Sequence, residues 1–92
     1  MGFRVSYTKR AKKQIDKLDN RQYALIDKWI KNNLIDCQNP QKVPNSEILK
    51  SVPGGWRYRV GKYRILAVIR ESEVCIEVFR VGHRKGVYRK QG

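Results

Sequence analysis

Phe3, Val5 and Tyr7 are separated by Arg4 and Ser6, and a period of two reads as a short strand with one buried face. Thr8 follows, a residue whose hydroxyl can accept an orphan N–H at a helix start. Over residues 9–18 the apolar positions Ala11, Ile15 and Leu18 recur at helical spacing among Lys9, Arg10, Lys12, Lys13 and Lys17. Asp19-Asn20 is a turn and cap signal. A second helix is predicted over residues 21–34, with Tyr23, Ile26, Ile30 and Leu34 on one stripe, broadened by Leu25 and Trp29. A join this short makes the two helices an antiparallel hairpin.

Residues 36–55 hold all three prolines and several Asn and Gln, so little regular structure is expected there beyond a turn. Ile48, Leu49 and Val52 are the side chains expected to pin this long connection to the core. Beyond it, Trp56, Tyr58 and Val60 alternate with Arg57 and Arg59. Gly61-Lys62 supplies a hairpin turn. The run from Tyr63 to Ile69, broken only by Arg64, reads as a central strand. After a turn at Glu71-Ser72, Val74 to Val81 forms the last strand. The order β-α-α-β-β-β predicts a single α+β domain over residues 1–92. In it, a helical hairpin packs on one face of a twisted antiparallel sheet. Whether the first strand pairs at an edge or in the centre is left open by the pattern.

Charge changes this picture. The chain carries 21 Lys and Arg against 8 Asp and Glu, a formal net charge of +13 on 92 residues. Self-repulsion on that scale is relieved by a polyanion or an acidic protein. Nucleic acid and an acidic inhibitor are compatible expectations. A membrane surface fits less well, because no basic helix with a clean apolar face dominates. No stretch reaches spanning length and no signal-peptide core is evident, so a cytoplasmic location is expected. Cys37 and Cys75 lack metal spacing and read as reduced thiols. With one His, no ligand cluster, no phosphate-binding loop and no dinucleotide turn, neither metal nor cofactor is expected.

The remaining candidates lie in the C-terminal half. Arg57 and Arg59, two apart, share one side of a strand. Arg64 interrupts an apolar strand, where a lone Arg needs a partner or a ligand. Arg80, His83, Arg84 and Tyr88 follow. Taken singly, each has an ordinary explanation: solvated positions or contacts with an acidic inhibitor for Arg57 and Arg59, an ion pair of Arg64 with Glu77 or another strand carboxylate, a loop histidine, edge packing. Together they are expected to converge on one sheet face and its C-terminal rim. Guanidinium groups, an imidazole and a phenol suit RNA, which carries its own nucleophile in the 2′-OH. Arg can clamp a phosphate and stabilise charge that builds on it, and an aromatic ring can stack a splayed base.

The segments WRYRVGKYRILAVI and EVFRVGHRKGVYR resemble the C-terminal half of RelE/ParE toxins, and the preceding β-α-α order and the Leu49 to Trp56 approach are similar too. The resemblance covers most of the chain and is most specific in the YR and VGHR…Y pieces. It implies the RelE-like microbial ribonuclease fold and the toxin role of a type II toxin–antitoxin system. It also implies metal-independent cleavage of mRNA in the ribosomal A site. Mapped by position, Arg64 matches a phosphate-binding Arg and Arg84 the Arg after V-G-x. Tyr88 matches a Tyr that orients the substrate base, and His83 stands where some members have Lys. Arg57, Arg59 and Arg80 would contact RNA. RelE has Lys where this chain has Arg57 and Arg59. Arg is the poorer base, which moves proton transfer onto His83. The implied partners are a cognate acidic antitoxin, mRNA and the ribosome. ParE-like relatives, which poison DNA gyrase, are the second reading, and a non-catalytic basic nucleic-acid-binding module is the third.

Overall fold

The computed structural model describes residues 2–87. Strand β1 (Arg4–Tyr7) leads into helices α1 (Lys9–Asp16) and α2 (Asn20–Asn33). Both starts are capped as their sequences predict. Thr8 Oγ1 accepts Ala11 N–H at 3.1 Å and Asp19 Oδ1 accepts Gln22 N–H at 2.8 Å. Such caps stabilise a helix by about 1 kcal/mol each. Strands β2 (Ser46–Ile48), β3 (Gly55–Val60), β4 (Tyr63–Arg70) and β5 (Cys75–His83) follow.

The five strands form one sheet in the order β1-β5-β4-β3-β2. The meander β3-β4-β5 is antiparallel, as expected. β1, however, pairs parallel to β5, so the sheet is mixed rather than wholly antiparallel. The physical reason is connectivity: both helices lie between β1 and the meander, and a long crossover is what parallel pairing needs.

The core forms between the helices and one sheet face. Ala11, Ile26, Ile30 and Leu34 pack with Tyr58, Val60, Ile65, Ala67, Ile76, Val78 and Val81. The stripe of α2 is narrower than its sequence suggests, for Tyr23 and Leu25 remain exposed. Two further corrections concern residues 36–55. They contain a 3-10 turn at Pro40–Lys42 and the edge strand β2. Of the expected anchors Ile48 is exposed, while Leu49 and Val52 are half-buried; Pro40 is buried as well, and its carbonyl accepts the Tyr58 hydroxyl at 2.8 Å. Gly55 is required where the connection rejoins the sheet, since a Cβ there would meet the carbonyl oxygens of Val52 and Leu49 at 2.8 and 2.9 Å.

A bulge reshapes β5. Leu66 stands opposite Arg80 while Ala67 stands opposite Val78, leaving Phe79 as the extra residue. Strict alternation would put Val78 and Arg80 on one face. The bulge reverses the parity, so Val78 and Val81 both face the core and Arg80 joins Leu66 on the other side. Thr8 supports the bulge from α1's start: its N–H donates to Val78 O at 2.9 Å and its hydroxyl to Phe79 O at 3.5 Å.

Candidate active site

Beyond Tyr7 the chain leaves the sheet for α1, and the upper half of β5 loses its ladder partner. Gln14 replaces it: its Oε1 accepts the Val81 N–H at 2.7 Å. A buried backbone donor without a partner costs about 1–3 kcal/mol, so Gln14 holds the segment that carries Gly82, His83 and Arg84. Sequence reasoning missed this residue. Its signal was a polar position between Ala11 and Ile15, on the turn facing the core.

The far end of the sheet assembles the predicted cations. In register, Arg59 stands directly opposite Arg64, and Arg64 opposite Gly82. Tyr63 stands opposite His83, and Arg84 N–H donates to Lys62 O at 2.7 Å, which ties the end of β5 to the β3–β4 turn. Gly61 supplies that turn with φ 59°. Arg64 Nη1 donates to Gly61 O at 3.0 Å and Tyr63 O at 2.8 Å. Its guanidinium is thereby oriented at the turn. No carboxylate pairs with Arg59, Lys62, Arg64, Arg84 or Lys85 among the described residues. Like charges directly opposite each other in a sheet are unfavourable, so the Arg59/Arg64 pair favours an anion between or above them.

His83 is exposed. Its Nδ1 accepts the Lys85 N–H at 3.2 Å, and its ring meets the Tyr63 ring edge-on with centroids 5.8 Å apart. It does not share a face with Arg64. It follows the parity of Val81 and Tyr63 on the helix side, and the two groups meet only around the sheet's rim. The expectation of a single face is thus corrected to one end of the sheet seen from both sides.

Two predicted residues sit in quite different surroundings. Arg57 pairs with Glu47, its register partner on β2, at 2.7 Å. Arg80 is only 8% exposed and its Nη1 donates to Val87 O at 2.8 Å. Burial, and secondly the charge of Arg10, pull its pKa below the usual Arg value. Arg80 thus anchors the turn after β5 and lines a cleft of about 130 Å³ with Arg10, Gln14 and His83. The alternative partner weighed for Arg64 is excluded, because Glu77 pairs with Arg70 at 2.8 Å. Tyr88 lies outside the described residues.

A helical layer on a mixed sheet, with one sheet end lined by guanidinium, ammonium and imidazole groups, defines a small basic protein whose unpaired cations gather at that end. The chain belongs to the family of ParE toxins of type II toxin–antitoxin systems, whose model matches residues 5–88. It is 27% identical over 90 residues to the toxin RelG of Mycobacterium tuberculosis, covering 98% of this chain and all of that one. The fold is similar to the toxin–antitoxin complex RelBE2 of the same organism, with TM-score 0.77 and 25% identity over 91% of this chain and 93% of that one. It is also similar to a double mutant of Escherichia coli toxin RelE in the free state, with TM-score 0.73 and 21% identity over 92% and 86% of the two chains. The chain is therefore a toxin of the RelE/ParE group with two helices on a five-stranded mixed sheet.

Proposed function

We propose that this toxin is a metal-independent endoribonuclease that cuts mRNA held in the ribosomal A site. The observation that carries the reading is the carboxylate-free cluster of Arg59, Lys62, Arg64, His83 and Arg84 at one end of the sheet. In the reaction the RNA 2′-oxygen attacks the adjacent phosphorus and the bond to the 5′-oxygen breaks. The products are a 2′,3′-cyclic phosphate and a 5′-hydroxyl. Arg64, pre-oriented by two turn carbonyls, binds the phosphate and stabilises its growing charge. Arg59 and Arg84 add donors from either side, and His83 supplies the imidazole. Tyr88 orients the base. Arg57 and Arg80 act further out, on the RNA backbone and in holding the site. The cluster is open and has no strong acid–base pair, so positioning of the message by the ribosome carries much of the rate.

Primer extension on messages from cells expressing the chain tests this. Cuts within translated codons are expected, and naked RNA should be cut far more slowly than message on ribosomes. The family match under the ParE name favours one second reading, poisoning of DNA gyrase. Intact messages accompanied by gyrase-linked DNA breaks would establish that reading instead. An acidic antitoxin is the expected partner, given +13 on this chain and the complex in which the similar RelBE2 toxin was solved. Co-expression with the neighbouring open reading frame should yield a co-purifying complex and suppress toxicity.

A further inference from the structure

At the free edge of β5, α1 and the turn after the strand enclose a cleft of about 130 Å³. Connectivity places it there. β1 ends at Tyr7, so from Val81 onward the flank of β5 is helix, not strand. The cleft is well below the roughly 300–1,000 Å³ of a small-molecule site, and it suits a group the size of a phosphate. Its walls are donors. Arg10 and Gln14 come from α1, Arg80 and His83 from β5, and the permanently charged side chains among its described lining residues are both guanidinium. Gln14 accepts the Val81 N–H with its oxygen, and the nitrogen of that amide is a donor. Arg80 forms the floor: it is only 8% exposed, and Val87 O accepts its Nη1–H at 2.8 Å. The charge of Arg10 bears on it. A second cation beside a buried one raises its energy, and an anion between the two turns repulsion into attraction.

The cleft adjoins the Arg64 group. Arg64 stands opposite Gly82 and Leu66 opposite Arg80, so the two arginines occupy neighbouring strands two residues out of step. At the rise of a strand that is about 7 Å, the scale of one step along an extended nucleic-acid backbone. Gly82, which lines the cleft, puts no side chain between them.

We infer that the cleft between Arg10 and Arg80 seats the phosphate next to the scissile one. The message then crosses the rim of the sheet with one phosphate at Arg64 and its neighbour between α1 and β5. This rests on the ribonuclease reading above and adds to it a residue of the first helix, Arg10. Two phosphates held at fixed points set the path of the strand over the rim, and so the alignment of the 2′-oxygen for attack. Arg10 touches the substrate backbone and takes no part in proton transfer.

Two measurements test the assignment. Arg10 is exposed, so Arg10→Ala should keep the urea midpoint of the parent and report on binding alone. The first measurement involves no chemistry: free toxin is titrated with a short 2′-O-methyl RNA, which cannot be cut, over a range of salt. Arg10→Ala should lower the salt slope by about 0.7, the value of one phosphate contact on a single strand. Lys31→Ala, on the far helix, should leave it unchanged. A slope for Arg10→Ala equal to that of the parent would overturn the site. The second measurement is single-turnover cleavage on programmed ribosomes, with a neutral methylphosphonate placed immediately 5′ or 3′ of the cut. The parent should lose roughly tenfold at one of these two positions, the low end for a hydrogen bond to a charged group. Arg10→Ala should lose about as much on ordinary message and nothing further on the message neutralised at that position. Losses that add would show that Arg10 and the neighbouring phosphate do not meet. If Arg10→Ala matches the parent in both RNA measurements and instead loosens the complex with the co-expressed acidic protein, the cleft serves the antitoxin and the assignment is overturned. If the parent cuts no message on ribosomes, the ribonuclease reading itself fails, and the place beside a scissile phosphate falls with it whatever the slope.

Discussion

At the end of the sheet where β4 turns into β5, charged groups have partners. Arg70 pairs with Glu77, the Gly2 N–H donates to Asp36 Oδ1 at 3.0 Å, and Arg4 reaches Glu73 O at 3.4 Å. At the opposite end Arg59 faces Arg64, beside Lys62, Arg84 and Lys85, and no carboxylate answers them among the described residues. The two ends are built from the same strands, and local propensity does not separate them. What separates them is the distribution of acids: Asp36, Glu71, Glu73 and Glu77 all fall near the first end. At the first end nearby acids offset the cations. The second leaves its repulsion to be relieved from outside, which is the electrostatic form of a binding site.

The sharpest contrast comes from removing one guanidinium at each end. Arg64→Ala should lower single-turnover cleavage roughly 10²–10³-fold and abolish toxicity, with an unfolding midpoint close to that of the parent, because its partners at Gly61 and Tyr63 are turn carbonyls that water can reach. A fully toxic Arg64→Ala would remove the chemical distinction between the ends.

The next largest effect tests how the cationic end is held. Gln14→Ala strands the Val81 N–H and should cost about 1–3 kcal/mol in urea unfolding. Its loss should spread to cleavage through the misplaced Gly82-His83-Arg84 segment. Unchanged stability would mean that solvent replaces Gln14 and that β5 needs no support from α1.

At the neutralised end, Val74 occupies the left-handed region, with φ 50° and ψ 49°. That conformation costs a non-glycine residue roughly 1–2 kcal/mol, and more is expected for a β-branched one. Val74→Gly should therefore stabilise the protein by up to about 1 kcal/mol, the greater freedom of glycine in the unfolded chain offsetting part of the relief. Toxicity should stay the same. A stabilised but inactive variant would couple the two ends.

The smallest effect belongs to the Arg70–Glu77 pair. Its contact raises the Arg70 pKa through the hydrogen bond and then the charge of Glu77, but the group is solvent-exposed. Arg70→Ala should shift the thermal midpoint only slightly and leave cleavage untouched. A loss of toxicity there, comparable with Arg64→Ala, would show that unpaired charge is not what marks the functional end.

Much of this was legible from residues alone, because some signals act over a few positions. The caps at Thr8 and Asp19, the apolar stripe of Ile26, Ile30 and Leu34, and the hairpin turn at Gly61 depend on local hydrogen bonding and periodicity. Three-strand alternation from Trp56 to Val81 marked the meander, and the YR and VGHR pieces pointed to the cluster of Arg64, His83 and Arg84. Other features depended on partners far along the chain. β2 is three residues long and offers no period to detect, yet its Glu47 engages Arg57. The pairing of Glu77 with Arg70 rather than Arg64 follows from a register that alternation cannot count. The extra residue at Phe79 reverses the parity of β5, which buries Val81, turns Arg80 towards Leu66 and leaves His83 on the helix side. By itself, then, the sequence determined the two helices, the first strand and the three-strand meander, and which cations stand near the C-terminal end, since those follow from short-range stereochemistry and composition. Only the tertiary structure decided that β1 joins parallel, that Gln14 closes β5's open edge, and that the candidate residues wrap a rim instead of lying on a face. Strand order and bulges are settled by which backbone groups find partners across the whole sheet.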